Sequence, residues 1–265
     1  MNVEFTQLSD RGQVREHNED YIGHAVPQTP SQAKTRGWLF ALADGVGGQA
    51  QGEVASRTAV EAVLAGFRKA SEGEPLAPLL GRLVEEANRL VLDAAREAGP
   101  SGAGMATTLV ACALRAGRAT VAHVGDSRCY LIRKGRAVSL TRDHTMASDQ
   151  ARMGLLSAQE EAQAPTRHLL SRSLGTESPP AAEISEHMVL AGDVLVLCSD
   201  GLHGEVSGAE IAAAVRETPD LHAAARQLLA LANQRGGNDN ISVQMIRVVS
   251  VDRVGTYRGL PYRLR

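Results

Sequence analysis

Acidic residues recur in this sequence where apolar segments start or stop. The apolar run "FALA" leads into Asp44-Gly45, and "LVLC" leads through a serine into Asp200-Gly201. Three more such boundaries carry acids: Glu19 and Asp20 in "NED", Asp126 in "HVGDSR", and Asp239 in "GGNDNISV". An Asp-Gly step usually indicates a hairpin turn. After Asp44, however, the chain continues as "GVGGQAQGEVASRTAVEAVLAGF", which is typical of a glycine loop followed by a helix.

Carboxylates that meet at one rim of a sheet repel each other and need a compensating positive charge. These motifs contain no matching set of Lys or Arg, so a bound divalent cation is the natural partner. An all-oxygen ligand set suits Mg²⁺, Mn²⁺ or Ca²⁺ rather than zinc or copper, and glycine beside an acid lets a backbone carbonyl approach the ion. Taken singly, Asp126 or Asp239 is more simply interpreted as a turn or N-cap residue. Five such steps together favour a metal-dependent hydrolase.

Arg15 suggests which substrate such a site would take. It precedes the "NED" segment closely in "RGQVREHNED", so its guanidinium is expected near the cations. A guanidinium matches two oxygens of a phosphate group at once. Arg11 is a weaker candidate for the same role, and a surface ion pair of Arg15 with Glu16 or Glu19 is the structural alternative.

Composition excludes several other classes of protein. The 265 residues fit one domain, and with 43% hydrophobic but only 3% aromatic residues the core must consist of Ala, Val and Leu. A net charge of −2 argues against nucleic acid as a partner. Neither a signal peptide nor a membrane-spanning segment is evident, so the expected location is cytoplasmic. The three cysteines are interpreted as reduced and buried.

The acids must be positioned by an alternation of strand sets and helix pairs. The predicted strands are 3–8, 20–26, 37–43, an antiparallel meander within 105–141, 184–190, 194–198 and 240–249. The predicted helices are 52–67, 76–97, 208–215 and 221–234. Residues 145–168 form a helix-leaning insertion, and 250–265 form a loose basic tail. Because strands come in sets, the pattern indicates an α+β fold with antiparallel sheet.

With these residues assembled, the sequence resembles the metal-dependent protein serine/threonine phosphatases of type 2C, in their bacterial stand-alone branch. The resemblance covers about residues 4 to 247 and rests on eight motifs in the family order: "SDRGQVREHNEDYIG", "FALADGVGG", "MATTLVACAL", "ATVAHVGDSRCYLI", "LTRDHT", "LLSRSLG", "DVLVLCSDGL" and "GGNDNISV". It implies one catalytic domain over 1–249: a sandwich of two antiparallel β-sheets flanked by pairs of α-helices, in four αββα layers. It also implies that 145–168 is a flap beside the active site.

The resemblance further implies a metal cluster of Mn²⁺ or Mg²⁺ at one end of the sandwich. Asp44 would bridge two ions, with the Gly45 carbonyl on one of them. Asp200 and Asp239 would complete the first ion. Glu19 would serve the second.

The remaining matched residues would complete the catalytic site. Asp126 corresponds to the acid that holds a third, weaker ion, shared with Asp200. Asp20 would order a metal-bound water, and Arg15 would grip the phosphate. Phosphoserine and phosphothreonine would then be hydrolysed by direct attack of a metal-bridging hydroxide, without a phosphoenzyme.

One position departs from the family pattern. Many relatives carry a His directly after the first Asp-Gly as general acid for the leaving alkoxide, whereas this chain has Val46, with Gln49 after the glycines. His123 and His144 lie near motif acids but are more simply interpreted as structural. A metal-bound water is the alternative proton donor, and the general acid is therefore unassigned. A substrate-selecting flap and a plain solvated insertion are equally compatible with the sequence of 145–168.

The expected partners follow from this assignment. They are phosphorylated proteins, a cognate bacterial Ser/Thr kinase and that kinase's substrates, with the phosphatase as a monomer. A catalytically weak phosphoprotein-binding regulator of the same fold is the first alternative, although such relatives usually lose metal acids that here are present. A phosphatase for small phosphate esters is the second.

Overall fold

Two antiparallel β-sheets stack face to face at the centre of the molecule. The structure, a computed structural model, describes residues 1–46, 51–177, 180–251, 254–257 and 260–263. One sheet has five strands: β1 (Asn2–Asp10), β7 (Arg128–Arg133), β8 (Arg136–Ser139), β10 (Val194–Cys198) and β11 (Ile241–Ser250). Their spatial order is β1-β11-β10-β7-β8.

The second sheet has six strands. These are β2 (Asp20–Ala25), β3 (Trp38–Val46), β4 (Ala106–Thr107), β5 (Leu109–Arg115), β6 (Arg118–Val124) and β9 (Glu183–Met188). Their order is β2-β3-β5-β6-β9, and the short β4 pairs with the end of β3 at Gly45 and Val46.

A pair of helices covers the outer face of each sheet. The six-stranded sheet packs against α2 (Gly52–Lys69) and α3 (Leu76–Glu97), and the five-stranded sheet against α7 (Gly208–Glu217) and α8 (Leu221–Gln234). The shorter helices are α1 (Pro30–Thr35), α4 (Met146–Arg152), α5 (Ala158–Gln163) and α6 (Asp200–His203). In the described part of the chain no helix is long and apolar enough to cross a membrane.

Strand β3 connects two of the three core layers because successive side chains point to opposite faces. Leu39, Ala41 and Ala43 face the helices α2 and α3, whereas Phe40 and Leu42 face the other sheet. Ala, Val and Leu predominate in both layers, as the low aromatic content predicted. The predicted α+β sandwich with helix pairs on both sides is confirmed.

The predicted meander is correct only in part. Strands β5 and β6 pair in the six-stranded sheet, but the chain then crosses, and β7 and β8 pair in the other sheet. The crossing occurs at Gly125, whose φ of +100° is strained for other residues and where a Cβ would lie 2.6 Å from Thr108 Cγ2. Turn residues in the sequence marked this break but did not indicate a change of sheet.

Two further segments differ from the prediction. The polar connection 27–37 contains α1, because the hydroxyl of Thr29 caps the helix by accepting from the Gln32 N–H. The tail was expected to be loose, but Val254–Tyr257 pairs with Leu260–Arg263 as a two-stranded hairpin. Its short run of β-formers outweighs the neighbouring Gly and Pro.

Phe40 should contribute strongly to stability because it is fully buried between the sheets, with its ring centroid 5.0 Å from that of Phe5 in β1. We expect Phe40→Ala to lower the free energy of unfolding by about 3–5 kcal/mol. Urea denaturation measures this loss. The matched control is Met153→Ala, since Met153 is 70% exposed and its truncation should change stability by less than about 0.5 kcal/mol. Equal effects would contradict the described core.

Candidate metal centre

The strand pairing brings the predicted acids to one end of the sandwich. Asp20 begins β2 and lies directly opposite Asp44, near the end of the antiparallel strand β3. Asp200 follows the end of β10, and Asp239 precedes the start of its antiparallel neighbour β11. Asp126 follows the end of β6. Because antiparallel neighbours alternate ends, residues far apart in sequence meet at a shared edge.

These residues line a cleft of about 1040 Å³. Seven of the eight residues predicted for the site are in its wall: Arg15, Glu19, Asp44, Gly45, Asp126, Asp200 and Asp239. The eighth, Asp20, is 7% exposed and lies behind the wall. The structure thus collects the predicted residues, and their individual roles stay predictions.

Neither Asp-Gly step is a hairpin turn. Asp44-Gly45 lies inside β3, and Asp200-Gly201 opens α6. The glycines allow backbones to approach: a Cβ on Gly45 would lie 2.2 Å from the Gly52 carbonyl oxygen, and one on Gly201 would lie 2.1 Å from that of Asn240. The absent side chains therefore let α2 and the 239–240 segment close on the acids.

Burial and mutual repulsion raise the pKa of the central carboxyl groups. Desolvation is the largest cause for all four: it raises the pKa of Asp20 to about 7 and that of Asp126 to about 8. The pKa of Asp44 is raised well above its usual value, and repulsion by Asp20 and Asp200 is the next cause after desolvation. Repulsion by Asp239 adds to the raised pKa of Asp200. Four carboxyl groups with pKa values raised together are typical of a site built for positive charge.

The donor set fits a divalent cation. Asp20 Oδ1 and Asp200 Oδ1 are buried and have no hydrogen-bond partner among the described residues. Such unsatisfied oxygens are costly unless something binds them. The cleft wall otherwise offers carboxylates and carbonyls, which are ligands of hard cations such as Mg²⁺ and Mn²⁺.

Arg15 lies at the side of this cleft with half of its side chain exposed. Its Nη2 donates to Asp239 Oδ2 over 2.7 Å, and in the described residues it forms no ion pair with Glu16 or Glu19. The guanidinium is thus held beside the acids yet accessible to solvent. A cation on Asp239 would compete with this pair and leave Arg15 available for an anion.

Asn240 is a residue that the sequence analysis missed. Its Nδ2 donates to the backbone carbonyls of Arg11 and His17 at 2.9 Å, and its Oδ1 accepts from the Glu19 N–H at 2.7 Å. One side chain therefore holds the loop that carries Arg15 and Glu19. Its position next to Asp239 in "GGNDNISV" could have suggested a role in the site. Only the fold shows which groups it bonds.

Hydroxyl groups hold the other acids in place. Thr108 Oγ1 accepts from the Asp44 N–H at 2.9 Å, and Thr107 Oγ1 donates to the Asp44 carbonyl at 2.8 Å. Ser199 Oγ donates to Asp20 Oδ2 at 2.8 Å, and Ser56 Oγ donates to the Glu19 carbonyl at 2.6 Å. The two threonines lie in the motif "MATTLVACAL". Nothing in the spacing of that motif predicts their contact with Asp44.

A second group of possible metal ligands, His123, His144 and Glu183, does not fit a cation. His144 Nδ1 accepts from the Gly125 N–H, which leaves the proton on Nε2, the atom that faces Glu183. Arg172 Nη1 also lies 3.3 Å from that nitrogen. His123 stacks on His144 with ring centroids 4.6 Å apart, and its Nε2 contacts the Arg142 carbonyl. The interpretation of both histidines as structural agrees with these contacts.

Removing one charge from the cluster should stabilise the metal-free protein. We expect Asp44→Asn to raise the melting temperature in EDTA at pH 8, because one repulsive carboxylate is lost, and to abolish most of the increase that Mn²⁺ gives the wild type. Differential scanning fluorimetry measures both. Glu72→Gln, at an exposed acid outside the cleft, is the control. Undiminished Mn²⁺ stabilisation in Asp44→Asn would refute the assignment of Asp44.

The same charges predict how the stability of the metal-free protein depends on pH. Asp20 and Asp126 have folded pKa values of about 7 and about 8, above the unfolded value, so stability falls as pH rises until those values are passed. The half-buried His203, with its pKa lowered to about 4, opposes this only below its unfolded value of about 6.5. Between pH 6.5 and 8 in EDTA the melting temperature should therefore fall, and saturating Mn²⁺ should remove the fall. A melting temperature that stays constant between pH 6.5 and 8 in EDTA would contradict the raised pKa values of Asp20 and Asp126.

Comparison with known proteins identifies the family. The model of the protein phosphatase 2C family matches residues 12–244. The serine/threonine protein phosphatase PstP of Mycobacterium tuberculosis is 36% identical over 253 residues, which are 94% of this chain and 46% of PstP. The chain thus spans about half the length of that relative. The serine/threonine phosphatase stp of Listeria innocua is 32% identical, over 93% of this chain and 95% of its own length.

Solved structures agree with this match. The serine/threonine phosphatase of S. agalactiae superposes with a TM-score of 0.84 at 32% identity, over 93% of this chain and all (100%) of that one. The catalytic domain of PstP in complex with two manganese ions superposes with a TM-score of 0.78 at 34% identity, over 94% of this chain and 99% of that one. The resemblance inferred from the eight motifs is confirmed, and the chain belongs to the protein phosphatase 2C family.

Proposed function

We propose that this protein is a metal-dependent phosphatase that hydrolyses phosphoserine and phosphothreonine in proteins. The observation that carries the proposal is the cleft in which five separate motifs place their acids beside an accessible arginine. Structural stability does not explain a buried cluster of repelling carboxylates, whereas binding of cations and phosphate does. Relatives named serine/threonine phosphatases support the substrate class.

The residues that would hold the cations are those predicted from the motifs. Asp44 and the Gly45 carbonyl, with Asp200 and Asp239, would hold one Mn²⁺ or Mg²⁺, and Glu19 with Asp44 a second. When bound, such ions neutralise the carboxylates, attract phosphate oxygens and make a coordinated water more acidic.

Asp126 and Asp200 would share a third, weaker ion. Both carboxyl groups line the cleft, and repulsion by Asp200 is the second cause of the raised pKa of Asp126. Asp20 lies behind the wall, where Ser199 donates to one of its oxygens and the other is unpaired. It would order a water molecule at the base of the site.

The chain's own groups would bind and orient the phosphoryl group. Arg15 can offer two parallel N–H donors to phosphate oxygens once its pairing with Asp239 is relieved. Asn240 would keep Arg15 and Glu19 in register with Asp239, because its side chain bonds the 11–19 loop while its backbone N–H donates to Asp239 Oδ1. Negative charge that develops on the phosphoryl oxygens would meet donors already in position.

Residues 1–249 would form the single catalytic domain, acting as a monomer against a bacterial Ser/Thr kinase. Residues 145–168 would be its flap: α4, α5 and a 3-10 turn at Pro165–His168, where Arg167 and His168 line the cleft. These contacts favour a segment that faces the substrate over a plain insertion. The tail 250–265 would lie outside the catalytic unit.

Phosphate release from a phosphothreonine peptide tests the function. Wild type should show activity that depends on added Mn²⁺ or Mg²⁺, and Asp200→Ala should lose nearly all of it because a central ligand is gone. Malachite-green detection during a metal titration measures this, with Glu72→Gln as control. Wild type that binds the peptide at millimolar Mn²⁺ without releasing phosphate would favour the regulator instead. Activity confined to a panel of small phosphate esters would favour a metabolite phosphatase.

Arg15 should act on the phosphate through both charge and shape. We expect Arg15→Ala to reduce kcat/KM for the peptide on the order of 10²-fold, and Arg15→Lys to recover only part of that loss because it keeps the charge but not the planar pair of donors. Arg11→Ala is the matched control, since Arg11 does not line the cleft. Equal effects of the Arg11 and Arg15 substitutions on kcat/KM would refute the assignment.

A further inference from the structure

Hydrolysis of a phosphoserine or phosphothreonine must expel a strongly basic alkoxide. A side chain that protonates this oxygen typically accelerates such a reaction. Val46 occupies the position after the first Asp-Gly step, lines the cleft and carries no proton to give. Another group must therefore protonate the leaving oxygen, an inference that rests on the proposed function.

Few groups in the described cleft wall can hold a transferable proton near neutral pH. Its arginines do not give up protons, and free carboxylic acids are ionised at that pH. The five predicted ligands would be kept ionised by bound cations. The two histidines in the wall, His17 and His168, carry ring N–H groups, and imidazole is the side chain most often used as a general acid.

The other histidines near the acids are unsuited to the task. His203 is half-buried, its Nε2 contacts the Asp126 carbonyl, and desolvation lowers its pKa to about 4. Burial also lowers the pKa of His144 to about 4 and that of His123. These rings are neutral at pH 7 and lie outside the wall of the cleft.

His168 and His17 differ in position. His17 precedes Glu19 in the loop that carries Arg15. His168 ends the 3-10 turn of the flap and also lines a second cavity of about 310 Å³, whose walls include Asp126 and Asp200 but neither Arg15 nor His17. His168 belongs to the 165–168 turn and Arg15 to the β1–β2 loop, so the two side chains reach the cleft from different segments of the chain.

The backbone holds His168 at the fixed base of the flap. Its neighbour Leu169 accepts from the Met146 N–H at 2.8 Å, and the Ser171 N–H donates to the His144 carbonyl at 2.9 Å. Thr145 and Leu170 form a β-bridge between these bonds. The imidazole itself is exposed and has no hydrogen-bond partner among the described side chains, so it is free to meet a substrate.

The charges around His168 combine both signs. Those that share its two cavities are Arg15, Glu16, His17, Glu19, Asp44, Asp126, Arg128, Asp143, Glu161, Arg167, Asp200, His203, Glu205 and Asp239. His168 lies close enough to Asp200 that a positive charge on its ring would lower the pKa of Asp200.

We propose that His168 is the general acid that protonates the leaving serine or threonine oxygen. Water adds to phosphorus, the P–O bond to the side chain breaks, and its electron pair goes to the departing oxygen. A ring N–H of protonated His168 gives its proton to that oxygen, so the products are the free hydroxyl and inorganic phosphate. The attacking water loses a proton to solvent, and the neutral imidazole regains one from solvent.

The test compares two leaving groups in His168→Gln, which keeps a polar side chain but cannot act as an acid. A phosphothreonine peptide releases a basic alkoxide, whereas p-nitrophenyl phosphate releases a phenolate that needs little protonation. We expect kcat for the peptide to fall on the order of 10²-fold and kcat for p-nitrophenyl phosphate to be nearly unchanged. Glu72→Gln, at an exposed acid outside the cleft, is the control and should retain activity on both. His17→Gln is compared in the same assays. Added imidazole should restore part of the peptide activity of His168→Gly but not raise that of wild type.

Each outcome separates the possibilities. Equal losses on the two substrates in His168→Gln, with its melting temperature and Mn²⁺ stabilisation unchanged, would mean that His168 only shapes the cleft and would overturn the inference. A leaving-group-dependent loss in His17→Gln instead would assign the proton to His17. Unchanged peptide activity in His168→Gln would also overturn it. A wild type inactive on both substrates would refute the proposed function itself, whereas the other outcomes leave that function intact.

Discussion

Mutual repulsion among carboxylates at one end of the β-sandwich is the constraint on which the rest of this structure depends. Asp20 and Asp44 face each other across two strands, and Asp126, Asp200 and Asp239 arrive at the same end from other strands. Burial makes their ionisation costly, so the fold alone does not explain the cluster. The unpaired oxygens of Asp20 and Asp200 indicate that the site is completed by something positive.

The surrounding chain is organised to hold this unfavourable arrangement. Three rigid core layers fix the strand ends, and glycines let the backbones of α2 and the 239–240 segment close in. Thr107 and Thr108 bond the backbone of Asp44 on both sides, and Asn240 ties the Arg15 loop to β11. Positions of charged groups therefore depend on neutral hydrogen bonds, whose donors and acceptors do not change charge when a cation binds. Such preorganisation suits a site whose work is electrostatic.

The proposed flap, residues 145–168, contributes Arg167 and His168 to the wall of the cleft. Its helices are short, but its base is bonded to the segment that follows β8, so Arg167 and His168 are presented at a defined place. Basic side chains thus reach the cleft from two unrelated parts of the chain: Arg15 from the β1–β2 loop, and Arg167 and His168 from the 165–168 turn. Loops held by a rigid scaffold commonly carry such roles.

The sequence by itself determined the α+β class, the bounds of α3, α8 and β10, the family, and seven residues that line the cleft. Those features are local: hydrophobic periods, helix stops and acids beside glycine can be read over a few residues. Tertiary structure alone decided that β6 and β7 lie in different sheets, that Asp20 lies behind the wall, that Asn240 holds the Arg15 loop, and that His168 shares a cleft with Asp200. Each of these depends on which distant strands pair, and pairing is set by the packing of whole layers, which no short segment encodes.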